Sequence, residues 1–137
     1  MTKQTFFFFF NNKKLYISEK VIKKLDLQKL LLETKTKAIY LIDNEGKIID
    51  FYPQDNELSE IKDKIAAFDA VIFNMSSSFF SLFFNTELNE MILKSDKEAL
   101  FLFKYKEYVL CFLADKNTNV GLLNLMFKKE TNTLNLN

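Results

Sequence analysis

The chain has 137 residues, 19 basic and 18 acidic side chains and a formal net charge of +1, and it contains no arginine, histidine or tryptophan. That length suits one domain with its own core, and the balanced charge argues against a surface for nucleic acid or anionic lipid. Without histidine, and with Cys111 as the only cysteine, the chain has no Ser-His or Cys-His pair, imidazole metal site or intrachain disulfide.

The N-terminal segment has five consecutive phenylalanines at residues 6–10, then a polar turn and a second short apolar run at residues 15–17. This pattern predicts a short hairpin in an extension spanning residues 1–17. Five exposed phenylalanines would promote association, so we expect the segment to pack on its own domain, or alternatively on a partner or membrane. The apolar run is too short for a signal peptide, which favours a cytoplasmic protein.

A first helix is predicted over residues 19–35, with Ser18 as its N-cap. Its leucines fall on two opposite faces. Either the helix breaks near Asp26, or both of its faces are buried.

The clearest hairpin is predicted at residues 37–43 and 47–52, where Gly46 supplies the positive φ that a tight turn needs. Pro53 and a polar run end the second strand. Asp55 or Asn56 is the expected cap of the helix that follows.

A long helix is predicted over residues 58–80, with two apolar faces. One face is a stripe of large side chains and the other is made of smaller ones, so one could cover a sheet while the other meets a second helix. The apolar run of residues 65–84 could span a membrane by length, but Asp69 would cost about 2.5–3.5 kcal/mol at the bilayer centre. We therefore predict no membrane span. The stripe consists of Ile61, Ile65, Phe68, Ile72, Met75 and Phe79, and the smaller face of Ala66, Ala67, Ala70, Val71 and Phe73.

Three strands and a helix complete the predicted domain. Residues 86–95 form a more polar strand that suits a sheet edge, whereas residues 99–105 and 107–114 are apolar on both faces and need cover on both sides. Cys111 is expected to be a buried apolar residue in the last of these strands.

After these strands, Thr118 or Asn117 is the expected N-cap of a final helix over residues 119–130. Gly121 in its first turn indicates close backbone packing. Residues 131–137 are predicted to be a polar, frayed tail.

No catalytic, metal or cofactor site is predicted. Asp43 and Asp115 each end an apolar strand, but antiparallel strands would put them at opposite ends of the sheet, which favours roles in turns. Gly46 and Gly121, the only glycines, are too far apart for a phosphate loop.

Two stretches carry a resemblance to a known family. The stretch AIYLIDNEGKII at residues 38–49 looks like a strand, an Asp-x-x-Gly turn and a second strand, and VLCFLADKNTNVGLLNLMFKK at residues 109–129 looks like a last strand, an acidic loop and a helix. Together with the order of elements, they resemble the roadblock (dynein light chain) family, and in detail the MglB-like regulators of Ras-like GTPases. The family often has glycine between the two central strands, whereas this chain has Tyr105-Lys106 there.

The resemblance covers residues 18–130 and implies a single-domain α+β fold of order αββαβββα, profilin-like, with a five-stranded antiparallel sheet and helices on both faces. It also implies a non-enzymatic, cytoplasmic homodimer that binds a small Ras-like (MglA-type) GTPase. The alternative is a purely structural, light-chain-like dimerisation adaptor in a larger complex. We expect the third strand and the long helix to form the dimer or partner interface, through Ala66, Ala70, Phe73, Phe80, Leu88, Met91 and Leu93.

Overall fold

The computed structural model describes residues 26–54 and 57–136. The predicted N-terminal hairpin, the Ser18 cap and the start of the first helix lie outside these ranges. The chain forms two compact units, one spanning Leu27–Leu123 and one that includes Asn124–Asn137.

The described elements follow the predicted order. The five strands form one antiparallel sheet in the order β2-β1-β5-β4-β3, which confirms the α+β class and places the third strand at an edge. The elements are α1 (Leu27–Thr34), β1 (Ala38–Ile42), β2 (Ile48–Tyr52), α2 (Lys62–Phe84), β3 (Glu90–Lys94), β4 (Glu98–Tyr105), β5 (Tyr108–Asp115) and α3 (Val120–Leu136).

The central strands are buried on both faces, as their apolar patterns predicted. Tyr40, Leu102 and Cys111 belong to the cluster beneath α2, and Cys111 is fully buried. The opposite face carries a second set of fully or almost fully buried side chains, and α1, with Leu27 and Leu30 buried, contacts β1 and β2. This second set consists of Ile39, Leu41, Phe101, Phe103, Leu110 and Phe112.

The turn between β1 and β2 is closed by Asp43. Its Oδ1 accepts hydrogen bonds from the backbone N–H groups of Glu45 and Lys47, both at 2.9 Å, and Gly46 has φ +87°. Asp115 has a similar role after β5, accepting from Asn117 N–H at 2.9 Å. The pairing of β1 with β5 puts the two carboxylates at opposite ends of the sheet, so both predicted turn roles are confirmed. Between β4 and β5, Lys106 adopts φ +57°, the conformation that a glycine would supply.

Helix α2 begins later and ends later than predicted. A turn precedes it, in which Ile61 N–H donates to Leu58 O at 3.0 Å, and Ile61 is an N-cap without a side-chain hydrogen bond. The predicted caps, Asp55 and Asn56, lie outside the described residues. The helix ends at Asn85, whose left-handed conformation (φ 52°) lets its N–H and that of Thr86 bond to carbonyls of the last turns.

Helix α3 also differs from its prediction at both ends. Its N-cap is Asn119, not Thr118 or Asn117, because Asn119 Oδ1 accepts from Leu122 N–H at 3.2 Å. The helix extends to Leu136, through the segment predicted as a frayed tail, and Thr131 Oγ1 donates to Phe127 O at 3.0 Å within it. Gly121 is exposed, and an added Cβ would meet Asn119 Oδ1 at 3.1 Å, so the described residues show no close backbone packing at this glycine.

Candidate partner-binding surface

The first half of α2 is held against the sheet by small side chains. Ala66, Asp69, Ala70 and Phe73 recur at helical spacing and are its buried residues. A Cβ added to Gly46 would lie 3.0 Å from Ala67 Cα, so the β1–β2 turn approaches the helix backbone closely.

Polar and cationic contacts show the direction in which α2 crosses the sheet. Lys62 Nζ lies 5.8 Å from the ring centre of Phe51 in β2, and the Asp69 carboxylate accepts a hydrogen bond from Tyr40 in β1. Asn74 Nδ2 then donates to Asn44 O at 2.8 Å, beyond the carboxyl end of β1. Phe73 belongs to the same buried cluster as Leu102 of β4. The helix therefore runs from β2 past β1 to the β1–β2 turn.

The second half of α2, residues 74–84, has no buried residue. The side that faces the sheet earlier in the helix continues here as Ser77, Phe80 and Phe84, yet Phe80 is 38% exposed and Phe84 61%. Phe79, Phe80 and Phe84 pack on one another, with ring centres 5.3–6.3 Å apart. We call residues 74–84 the overhang, because they extend past the cover that the chain's own sheet provides.

The side of α2 turned away from the sheet is also apolar. Five large side chains recur every three or four residues and are 49–77% exposed. A groove of about 420 Å³ lies beside them, between Asn74, Ser78 and Phe83. No charged residue occurs from residue 70 to residue 86. We call these five residues the outer stripe: Phe68, Val71, Met75, Phe79 and Leu82.

Strand β3 at the sheet edge is a second surface to which another chain could bind. Among the described residues it pairs only with β4, so its other edge has no neighbouring strand. Ile92 and Leu93, which point to opposite faces, are 40% and 37% exposed. Such an edge is a template for pairing with another chain.

Two adjoining grooves lie on the α2 side of the sheet, at the end where β3 finishes. They have volumes of about 390 and 290 Å³ and share Glu98 and Leu113. Lys37 pairs with Glu98 at the rim, and this hydrogen bond is the main cause of a raised Lys37 pKa. We call the combined groove the trough; its apolar lining includes Leu58, Leu93, Leu100 and Leu113.

The predicted interface residues are divided between the core and the surface. Ala66, Ala70, Phe73 and Leu88 are buried within the chain, so they have almost no surface to offer a partner. Phe80 and Leu93 are partly exposed and Met91 is half-buried. Of the predicted smaller face, Ala66, Ala70 and Phe73 cover the sheet, whereas Val71 faces outward in the outer stripe. Most of the predicted large-residue stripe faces outward, and Phe68, Met75 and Phe79 of it belong to the outer stripe.

One polar cluster lies where α2 meets the sheet. Asp69 on α2 is 3% exposed and accepts the Tyr40 hydroxyl hydrogen bond, with the Cys111 thiol close by. Burial raises the pKa of Asp69 to about 6, against the lowering effect of hydrogen bonds from Tyr40 and Cys111. Burial also raises the pKa of both Tyr40 and Cys111, so they stay neutral at physiological pH. In the described ranges, no group of three or more Cys, Asp or Glu side chains is placed to hold a metal ion.

By length and composition α2 could cross a membrane, and 22% of its apolar window is buried. Its first half, however, lies against the sheet through Asp69 and its neighbours. The absence of a membrane span remains our prediction.

The sequence matches no family model and no curated protein, but the fold has clear structural counterparts. MglB of Myxococcus xanthus is 21% identical with a TM-score of 0.69, and the match covers 84% of this chain and 91% of that one. The gliding protein MglB of Thermus thermophilus is 18% identical (TM-score 0.64; 82% and 83% covered), and a Roadblock/LC7 domain of Streptomyces avermitilis is 16% identical (TM-score 0.63; 73% and 82% covered). The chain therefore has the roadblock fold, and MglB proteins are among its structural counterparts.

Proposed function

We propose that the chain is a non-enzymatic, cytoplasmic homodimer that binds a small Ras-like GTPase of the MglA type and modulates its GTPase cycle. The observation that carries the proposal is the uncovered apolar second half of α2 together with the β3 edge, beside which the described residues place no further strand. The shared fold with MglB supports the choice of partner class.

A second copy of the chain fits the overhang and the β3 edge together. If two β3 strands pair antiparallel about a two-fold axis, the sheet continues from one chain into the other. The partner's sheet then lies beneath Phe80 and Phe84, which face the sheet side but have no cover of their own.

The same symmetry accounts for the trough. Asn74 of α2 bonds to the turn after β1, which by strand register is the end of the sheet where β3 begins, whereas the trough lies where β3 finishes, beside Leu93. A two-fold axis beside β3 exchanges these two ends. Each overhang would therefore lie over the other chain's trough, burying Phe80 and Phe84 against Leu93, Leu100 and Leu113.

The outer stripe stays exposed in this dimer, because it lies on the side of α2 opposite the sheet. An apolar, uncharged stripe of this length is suited to a protein partner and binds mainly by burying apolar surface. We assign the GTPase to it. The chain has no arginine, so any stimulation of hydrolysis would come from repositioning the GTPase's own residues and not from an arginine finger in trans.

The test uses the full chain and purified Ras-like GTPases from the same organism, loaded with a fluorescent GDP or GTP analogue. We expect binding and a changed rate of nucleotide release or hydrolysis. Met75→Asp, in the outer stripe, should weaken binding at least about tenfold by placing a charge in an apolar contact. Ser81→Asp, on the polar side of α2, is the matched control and should bind like the wild type.

Light scattering after gel filtration tests the dimer separately. A monomer at tens of micromolar would contradict the dimer. A dimer that binds none of the GTPases would favour the structural adaptor.

A further inference from the structure

Asp69 is the one charged residue among the buried residues of α2. It lies between Ala66 and Ala70 on that side, opposite β1 and β5, and is 3% exposed. A buried carboxylate is normally balanced by a cation or by several hydrogen-bond donors. In the described part of the chain Asp69 has no cation beside it, and its polar neighbours are two neutral donors, Tyr40 and Cys111.

The groups facing Asp69 cannot supply a compensating charge. Tyr40 on β1 donates a hydrogen bond and Cys111 on β5 offers a thiol, and both are neutral. The cluster beneath α2, which also contains Ala38, Phe73 and Val109, is otherwise apolar. No charged side chain from the described elements contributes to the electrostatics of this carboxyl.

We propose that Asp69 is a positioning residue that makes the attachment of α2 to the sheet depend on protonation: the helix is held firmly while the carboxyl is neutral and more loosely once it ionises. The inference does not rest on the proposed GTPase partner, because it concerns how the chain holds its own helix. It does bear on any partner of α2, since the outer stripe and the overhang belong to the same helix.

The direction of the pH dependence follows from the two states of the chain. In the folded chain the pKa of Asp69 is about 6, above the value of 3.8 for a solvated aspartate, so the unfolded chain releases this proton more readily. The stabilisation is fully present below about pH 4 and is lost as the pH rises through about 6. The fold should therefore be more stable at pH 5 than at pH 7.5.

Urea denaturation at a series of pH values tests the inference on the full chain. From pH 5 to 7.5 the contribution of Asp69 to the unfolding equilibrium constant should rise roughly tenfold. Asp69→Asn, which cannot ionise, should lack this rise. Asp63→Asn, an exposed aspartate on the same helix, is the matched control and should keep it. Tyr40→Phe removes a hydrogen bond that favours the carboxylate, so it should move the step to higher pH.

Equal pH dependence in the wild type and Asp69→Asn would overturn the inference, as would a loss of stability in Asp69→Asn that is the same at every pH. If Asp69→Asn does not fold, the carboxyl carbon of Asp69 in the wild-type chain can be titrated by NMR. A midpoint at or below about pH 4 would then overturn the inference, and one near 6 would support it.

Discussion

The two halves of α2 have similar apolar content but different surroundings. The first half carries Ala66, Asp69, Ala70 and Phe73, and all four are buried against the sheet. The second half carries Phe80 and Phe84 on the same side, and both are exposed to solvent. The sheet-facing side therefore continues for about three turns after the chain's own cover ends. A helix that keeps its core pattern beyond the sheet leaves apolar surface for further cover, which we propose comes from a second copy of the chain.

The largest expected effect is a loss of stability that occurs at a core residue of α2 but not at a residue of the overhang. Phe73→Ala should lower the free energy of unfolding by about 3–5 kcal/mol, because Phe73 is 5% exposed and leaves a cavity. Leu82→Ala, at a side chain 77% exposed, should change it by less than about 0.5 kcal/mol. Urea denaturation of both variants gives the comparison. Similar losses would mean that the two halves are equally covered in solution.

The next effect is on assembly. Replacing Phe80 and Phe84 together by aspartate should raise the dissociation constant of the proposed homodimer at least about 100-fold, because two charges would enter an apolar contact. Both side chains are partly exposed, so the monomer should keep its circular dichroism spectrum. Sedimentation equilibrium measures the change, with Ser81→Asp as the control. An unchanged dissociation constant would mean that a second copy of the chain does not cover the second half of α2.

A smaller effect concerns the turn that holds the first half. Gly46→Ala should destabilise the chain by about 1–3 kcal/mol, because φ is +87° and the new Cβ would lie 3.0 Å from Ala67 Cα. Gly121→Ala, in the first turn of α3, is the comparison and should stay within about 1 kcal/mol of the wild type. Thermal denaturation of both variants is sufficient. Equal effects would mean that the Gly46 turn does not constrain α2.

The smallest effect is expected at the start of α2. Lys62→Ala and Lys64→Ala should each lower stimulated GTP hydrolysis less than about tenfold, because each removes only a peripheral charge. Single-turnover hydrolysis at saturating regulator is the measurement. A hundredfold loss with binding intact would mean that a lysine of this chain acts in the chemistry, and repositioning of the GTPase's own residues would no longer suffice.

Sequence patterns were sufficient for the sheet and its turns. The strands that became β4 and β5 are apolar at successive positions, which requires cover on both faces, and Asp43 with Gly46 specifies the β1–β2 turn. The orientation of α2 could not be predicted, because the helix has two apolar faces and periodicity does not say which one meets the sheet. That choice depends on tertiary contacts: the Gly46 turn requires small residues opposite it, and Tyr40 provides a donor for Asp69.

The predicted interface residues differ in how much surface they keep, and their role in an interface stays a prediction. Phe80, Met91 and Leu93 were assigned to an interface from edge-strand character and helix length, and they retain exposed or half-exposed surface. Ala66, Ala70, Phe73 and Leu88 were assigned to it from the smaller apolar face and from the strand pattern, and they are core residues. The role of Asn85 as the C-cap of α2 was not predicted, because a left-handed helix end at asparagine has a weaker sequence signal than one at glycine.

The uncharged stretch of residues 70–86 has a consequence for the newly made chain in the cell. A monomer folded as described leaves several large side chains exposed, Phe68, Leu82 and Phe83 among them. Chaperones and quality-control proteases recognise exposed apolar surface of this kind, and unassembled copies also aggregate through it. We expect the amount of this protein to follow the supply of its binding partners, because copies that remain unassembled are degraded.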